Sequence, residues 1–243
     1  MTRLAPSLRR ALLLSALAAP VAAQPLSTDP PPFPEPSMPP LRRNDGDEGG
    51  FTLGLSLGWA MPFGAAADDG GTGKSDLSRA LRGAIPVGVS LGYRALPHLH
   101  VGAFVEMAPG VVSHGADGPC ALPTTSCSAW DLRAGVVFEV HALPRSRIDP
   151  WVGAGLGYEA FHFSVSPGPG TLDLQGMEFA HLDAGVDVRL WRALRLGPFA
   201  TFTVGRYDTG NLGVDGSSVS GPIGNKAIHE WLRFGLRLRY DVK

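Results

Sequence analysis

Residues 231–243 read WLRFGLRLRYDVK, and every second side chain along this stretch is apolar. The apolar set is Leu232, Phe234, Leu236, Leu238, Tyr240 and Val242. The opposite set is Trp231, Arg233, Gly235, Arg237, Arg239 and Asp241. Because successive side chains of a strand point to opposite faces, the stretch predicts a β-strand with one apolar face and one charged face. Soluble sandwiches also contain such strands, so the solvent that each face meets depends on the rest of the chain.

The same alternation recurs from Phe51 onward. It predicts seven further strands, over residues 51–61, 85–94, 99–107, 131–141, 151–159, 180–189 and 194–204. Strands of about ten residues match the length that a tilted strand needs to cross a bilayer. Pro86 and Pro198 are weak points of this assignment, since proline cannot donate to a strand ladder.

The connections between these strands differ in length from one end to the other. Three of them are short, over residues 95–98, 143–145 and 191–193. The intervening ones are long, over residues 62–83, 108–129, roughly 164–176, and 208–227. Outer-membrane barrels have short periplasmic turns and longer extracellular loops, so the alternation favours an up-and-down transmembrane β-barrel of eight antiparallel strands.

Charged residues gather on the faces opposite the apolar ones. The cations are Arg94, Arg133, Arg189, Arg195, Arg233, Arg237 and Arg239, and the anions are Glu106, Asp131, Glu139, Glu159, Asp183, Asp187 and Asp241. One arginine facing lipid at the midplane costs about 2–4 kcal/mol, so these faces must line the lumen. An eight-stranded barrel is only wide enough for side chains, and buried charges need partners. We therefore predict a lumen filled by a charge network of Arg133, Glu139, Asp183, Asp187, Arg189, Arg233, Arg237 and Arg239.

The first fifty residues differ in character from the rest. Arginines followed by the apolar run ALLLSALAAPVAA predict a secretory signal peptide over residues 1–23. Residues 24–50 are rich in proline and then charged, which predicts a disordered periplasmic linker before a barrel domain over residues 51–243. The formal net charge of -1 gives no support for a nucleic-acid partner.

Cys120 and Cys127 are the two cysteines of the chain. In an exported protein such a pair predicts a disulfide bond. A metal site is the alternative, but no histidine or further cysteine lies between or beside them.

Some short motifs suggest chemistry. Residues 54–58 and 88–92 match the G-x-S-x-G pattern of hydrolases, yet each falls inside a predicted strand instead of a strand-to-helix turn. His162 and Ser164, with Glu178 downstream, are the residue types that ester hydrolysis uses. We interpret them as polar loop residues, and we predict no catalytic, cofactor-binding or metal-binding residues.

From Phe51 to Lys243 the chain resembles the eight-stranded outer-membrane barrel families of the OmpA, OmpX and OmpW type. The resemblance rests on the eight alternating strands, the asymmetry of the connections and the closing LRFGLRLRYDV. It implies an outer-membrane location, insertion by the barrel-assembly machinery, and roles from envelope anchoring and adhesion to small-solute passage. Separately, His162-Phe163-Ser164 is similar to the His-x-Ser of barrel deacylases that trim lipid A, although Val165 stands where those proteins have Asn.

The function predicted from the sequence is that of a non-enzymatic outer-membrane barrel, embedded in lipid, whose long loops contact surface ligands. One alternative is a narrow conduit for small hydrophobic solutes that opens sideways into lipid. Another is a lipid A-modifying enzyme that uses His162 and Ser164. A soluble periplasmic barrel is the remaining alternative for the fold. No cofactor is expected in the predicted function.

Overall fold

The computed structural model of the protein describes residues 49–68, 70, 75–114, 120, 124–166, 170–214 and 217–242. The predicted signal peptide, and the predicted linker up to residue 48, lie outside the described residues.

An antiparallel sheet closes on itself to form a barrel. Its strands are β1 (Gly50–Gly64), β2 (Leu81–Ala84), β3 (Val87–Leu96), β4 (Leu99–Val112), β5 (Ser126–His141), β6 (Ile148–Ser166), β7 (Gly170–Arg189), β8 (Leu194–Val214), β9 (Ser217–Pro222) and β10 (His229–Val242). The short helix α1 (Leu77–Ala80) precedes β2. The ring runs β1–β3–β4–β5–β6–β7–β8–β10, and β10 pairs with β1 in register from Phe51↔Val242 to Gly64↔His229. The predicted all-β fold, an antiparallel barrel with a ring of eight strands, is confirmed.

The two prolines behave differently. The predicted strand over residues 85–94 corresponds to β3, which begins at Val87, and Ile85 and Pro86 separate it from β2, which lies before the predicted range. The ladder nevertheless continues across the break, because Gly58 N donates to Pro86 O at 3.1 Å and Ile85 N donates to Pro109 O at 2.9 Å. Pro198 lies inside β8 without interrupting it and pairs with Leu236. β2 and β3 therefore act as one strand of the ring.

Apolar side chains cover the outside of the ring. On β1 and β10 the outward residues include Leu53, Leu55, Leu57, Phe234, Leu236 and Tyr240, all of them exposed. The residues between them point inward, and Arg233, Arg237 and Arg239 are buried. The closing strand thus has its apolar face outside and its charged face in the lumen, as its alternation predicts.

Two predicted long connections are largely strand. β6 continues to Ser166 and β7 begins at Gly170, so the predicted connection at roughly 164–176 is wrong. β8 continues to Val214 and pairs with β9, which occupies much of the predicted connection over 208–227. The side chains explain the difference. Beyond the apolar belt, which is the band of apolar side chains around the outside of the ring, the outward residues become polar. The hydrogen-bonded ladder continues there without the outward apolar face from which the strands are predicted.

The disulfide prediction is confirmed. Cys120 and Cys127 form a bond that ties the β4–β5 connection to the start of β5. This end of the barrel, opposite the short turns, also carries α1 and β9, and we call it the loop end. None of the helices that the structure describes has the length and apolarity to cross a membrane.

Candidate functional site: the lumen charge network

The inward side chains of the ring form ion pairs across the lumen. β10 lies opposite β5 in the ring of strands. Arg237 Nη1 on β10 donates to Glu139 Oε1 on β5 at 2.5 Å, and its Nη2 donates to Asp187 Oδ2 on β7 at 3.2 Å. Arg239 also donates to Glu139. Glu139 and Asp187 therefore hold the two arginines in the middle of the barrel.

Arg233, nearer the loop end of β10, pairs with Glu106 on β4. Within the described residues Glu106 is the carboxylate that forms an ion pair with this guanidinium. A cavity of about 80 Å³ borders both Arg233 and Arg237. Small lumen residues on β1 and β3, namely Ser56, Gly88 and Ser90, form part of its wall. A space of this volume holds about two or three water molecules.

A second group of ion pairs surrounds Arg133 on β5, which is only 1% exposed. Its Nε donates to Asp131 Oδ2 at 2.5 Å and its Nη1 donates to Glu178 Oε2 at 3.1 Å. Its Nη2 lies 3.4 Å from Glu159 Oε1. One guanidinium thus contacts three carboxylates, on β5, β6 and β7, and links these strands to one another from inside.

Glu159 is in turn surrounded by donors. Tyr207 Oη donates to its Oε1 at 2.5 Å, and Trp231 Nε1 donates to the same oxygen at 3.2 Å. His229 Nε2 lies 3.0 Å from Oε2. These aromatic rings close the lumen at its loop-end side with a layer of hydrogen bonds, and Tyr207 is fully buried.

At the short-turn end the lumen is closed by another group. Arg195 Nη1 donates to Asp149 Oδ2 at 2.9 Å, and Arg94 Nη2 donates to Asp241 Oδ1 at 3.3 Å. His141 Nδ1 lies 2.8 Å from Asp149 Oδ2. Arg189 belongs to this end: its Nη2 donates to the carbonyl of Pro144 at 2.7 Å.

Asp183 is held apart from the arginines of β10. It accepts a hydrogen bond from Thr201 Oγ1 at 2.5 Å, and its Oδ2 lies 2.9 Å from His181 Nε2. The other ring nitrogen of His181 lies 2.5 Å from Glu178 Oε1. Both ring nitrogens of His181 therefore lie within hydrogen-bond distance of a carboxyl group.

Sequence reasoning missed several members of this network. The sequence pattern places Glu178 in a loop, but the residue lies in β7, and the β7–β8 register shifts between Glu178 and Ala180. This bulge places Phe179 outside and Glu178 inside, against the parity of the neighbouring residues. The predicted strands leave out Asp149 and His229, because β6 begins three residues and β10 two residues before them. Their signal was present, since each continues the alternation of its strand.

Of the residues considered for ester hydrolysis, His162 and Ser164 lie on the outer surface, whereas Glu178 is buried in the lumen. His162 Nδ1 lies 2.5 Å from Asp173 Oδ1, and the ring stacks on Trp130 at 5.4 Å between centroids. Ser164 shares a hydrogen bond with Ser128 at 2.9 Å. The acid beside His162 is therefore Asp173 and not Glu178, and the described hydrogen bonds hold Ser164 and His162 in separate pairs.

Comparisons with known proteins show similarity in three dimensions alone. No protein-family model and no curated protein matches the sequence. Among solved structures, the neisserial surface protein A matches with a TM-score of 0.47 and 12% identity over 79% of this chain and 97% of its own. AlkL, studied in lipid bilayers, matches at 0.48 and 15% over 88% and 96%. A major outer membrane protein of Thermus thermophilus matches at 0.46 and 15% over 79% and 99%. Outer-membrane barrels thus match most of this chain, and at these identities the match concerns the fold alone.

Proposed function

We propose that this chain is an integral outer-membrane barrel with a closed, charge-filled lumen, whose role is structural or lies in contacts made at the loop end. The observation that carries the proposal is the pairing of β10 with β5 across the lumen through Arg237 and Glu139. The Arg237–Glu139 ion pair lies between two further groups: the hydrogen bonds around Glu159 on the loop-end side and the Arg195–Asp149 group on the short-turn side. Together they leave no open channel along the barrel axis in the described residues.

The exposed apolar belt supports the membrane location. Leu236, Leu55 and Val136 are large apolar side chains on three different strands, and about half of each is exposed. Contiguous apolar surface of this kind marks a membrane contact in a protein whose interior is charged. Outer-membrane lipid is then the main partner, the predicted signal over residues 1–23 would direct export, and the barrel-assembly machinery would insert the barrel.

Planar-bilayer recording tests the closed lumen. The purified protein should show no discrete conductance steps at neutral pH. The double variant Glu139→Ala/Arg237→Ala, which removes the central pair, serves as the positive control and should show small steps. Discrete steps from the unmodified protein would contradict the proposal.

Fractionation tests the location separately. The protein should partition with outer membranes and migrate faster on a gel without heating than after boiling. Recovery in the soluble periplasmic fraction, without a heat-dependent shift, would instead support the soluble barrel.

A second candidate function is the passage of small hydrophobic solutes from the loop end sideways into lipid. The observation that favours it is a largely apolar cavity of about 1020 Å³ at the loop end. Liposomes that contain the protein should then take up a hydrophobic tracer faster than empty ones. Equal rates would leave the closed barrel without a transport role.

A further inference from the structure

Two of the short turns lie against each other at the short-turn end of the barrel. One joins β5 to β6 over residues 142–147, and the other joins β7 to β8 over residues 190–193. They are connected where Arg189 N, at the end of β7, donates to the carbonyl of Arg147 at 2.8 Å. We call these two segments the paired turns, and they form one continuous surface outside the lumen.

Hydrogen bonds hold the backbone of the paired turns in place. The carbonyl of Pro144 accepts from Arg189 Nη2 at 2.7 Å and from Arg195 Nη2 at 3.0 Å. Within the same turn, Ser146 N donates to the carbonyl of Leu143 at 2.9 Å. A surface that is fixed in this way loses little conformational freedom when a ligand binds to it.

The exposed charged residues of the paired turns are all arginines. Arg145, Arg147 and Arg192 are exposed, and Arg189 beside them is half-buried. Within the described residues, no carboxylate forms an ion pair with Arg147, Arg189 or Arg192. Three guanidinium groups therefore lie close together along the chain without a negative charge from the barrel beside them.

The carboxylates next to the paired turns are already used inside the barrel. In the part of the chain that the structure describes, they are Asp149, Asp187 and Asp241, and each forms an ion pair with an arginine of the lumen. Asp149 and Asp187 are fully buried. The positive charge of the paired turns is therefore available to an anion from outside the barrel.

Apolar side chains show at which depth these arginines lie. Ile148 follows Arg147 and is 54% exposed, and Trp191 precedes Arg192 and is 69% exposed. The apolar belt thus extends down to the paired turns on this side of the barrel. Exposed indole rings at the end of a barrel are typical of the boundary between lipid and water. The neighbouring arginines would then lie at the depth of the lipid phosphates.

The chemistry of guanidinium groups indicates which lipid fits best. A guanidinium donates two parallel hydrogen bonds to a phosphate, and arginine is therefore frequent where phosphates are bound. In a zwitterionic lipid, an ammonium group of the headgroup itself compensates the phosphate. An anionic lipid such as phosphatidylglycerol lacks this group, so arginines without carboxylate partners favour it.

We propose that the paired turns bind the phosphodiester headgroup of an anionic glycerophospholipid, and that Arg147 and Arg192 contact its phosphate. The inference rests on the membrane location proposed above and deepens it, because it adds the class of lipid and the end of the barrel at which this lipid binds.

The test uses brominated lipids, which quench the fluorescence of a tryptophan in contact with them. The protein is placed in nanodiscs of phosphatidylglycerol and phosphatidylcholine, and one of the two lipids is brominated near its headgroup in each sample. The variant Trp191→Phe identifies the part of the signal that comes from Trp191. The double variant Arg147→Gln/Arg192→Gln removes the two charges. Arg82→Gln, which alters an exposed arginine of β2 at the loop end, is the matched control.

We expect Trp191 to prefer phosphatidylglycerol by about fivefold or more in the unmodified protein and in Arg82→Gln, and by about twofold or less in the double variant. Equal quenching by the two lipids in the unmodified protein, or an undiminished preference in the double variant, would overturn the site alone. Quenching by neither lipid would overturn the membrane location as well. Sodium phosphate should reduce the preference no more than sodium chloride of equal ionic strength. A loss in phosphate alone would assign the arginines to free phosphate and overturn the assignment to a lipid.

Discussion

Arg237 on β10 and Glu139 on β5 meet in the centre of the barrel, with Nη1 and Oε1 2.5 Å apart. Their strands lie opposite each other in the ring, so this pair spans the lumen. Glu139 also accepts from Arg239, and His100 Nδ1 lies 3.4 Å from its Oε2. The carboxylate is thus shared by side chains from β4 and β10, and its loss would leave buried cations without compensation.

Glu139→Gln is accordingly expected to destabilise the barrel by about 3–5 kcal/mol, the usual cost of breaking a buried ion pair from one side. The measurement is urea unfolding in lipid vesicles, followed by tryptophan fluorescence. Asp173→Asn, which alters a partly exposed carboxylate outside the lumen, is the control and should cause a much smaller change. Equal losses in the two variants would show that the lumen pairs do not govern stability.

The interaction free energy of a single ion pair can be measured at Arg233 and Glu106, because each is the other's ion-pair partner within the described residues. Arg233→Met and Glu106→Gln should each lower the free energy of unfolding, since each leaves one buried charge alone. The double variant should lose less than the sum of the two, with a coupling energy of about 1–3 kcal/mol. Simple additivity in the double-mutant cycle would mean that solvent already screens this pair.

A pH-dependent contact lies at the loop end, outside the apolar belt. Lys226 Nζ donates to Asp208 Oδ1 at 2.6 Å, and this hydrogen bond holds the pKa of the Asp208 carboxyl below its ordinary value. A carboxyl whose pKa is lowered by folding contributes stability above its unfolded pKa, and that contribution is lost as the pH falls through the folded pKa.

Lys226→Ala should therefore raise the pKa of Asp208 toward the ordinary value, and Lys226→Arg should keep it lowered. Carbon-13 NMR titration of the aspartate side chains measures both. The second cation near this carboxyl, Arg206 Nη2 at 3.2 Å, remains in each variant, so a residual lowering is expected. An unchanged pKa in Lys226→Ala would assign the effect to Arg206 instead.

How far the sequence predicts this structure depends on the register of each strand. Alternation alone orients every residue of β10, because its pairing with β1 runs without a bulge. On β7 the bulge between Glu178 and Ala180 reverses which residues point inward, and no pattern in the sequence predicts this bulge. The position of Glu178, a buried partner of Arg133, therefore depends on a feature of the backbone and not on its own chemistry.

The loop end was predicted less well for a different reason. The strands are predicted from an apolar face turned to lipid, and the outward residues are no longer apolar beyond the apolar belt. Phe161 and Phe163 still alternate with His162 and Ser164, but here the apolar residues point inward and the polar ones outward. Alternation counted regardless of which face is apolar extends β6 to these residues, and the inversion itself indicates apolar side chains on the inner face.

The position of the lipid boundary gives the last prediction. Leu236 is 56% exposed in the middle of β10, whereas Val219 is 76% exposed on β9. If lipid surrounds the ring, Leu236→Arg should cost about 2–4 kcal/mol in vesicles, because a guanidinium at mid-depth must leave water. Val219→Arg should leave stability and insertion nearly unchanged, since its side chain lies beyond the belt. Unfolding and refolding into vesicles measures both variants. If the two arginines were tolerated equally, the outer face of β10 would meet water, and the barrel would be a soluble one with its charged residues inside.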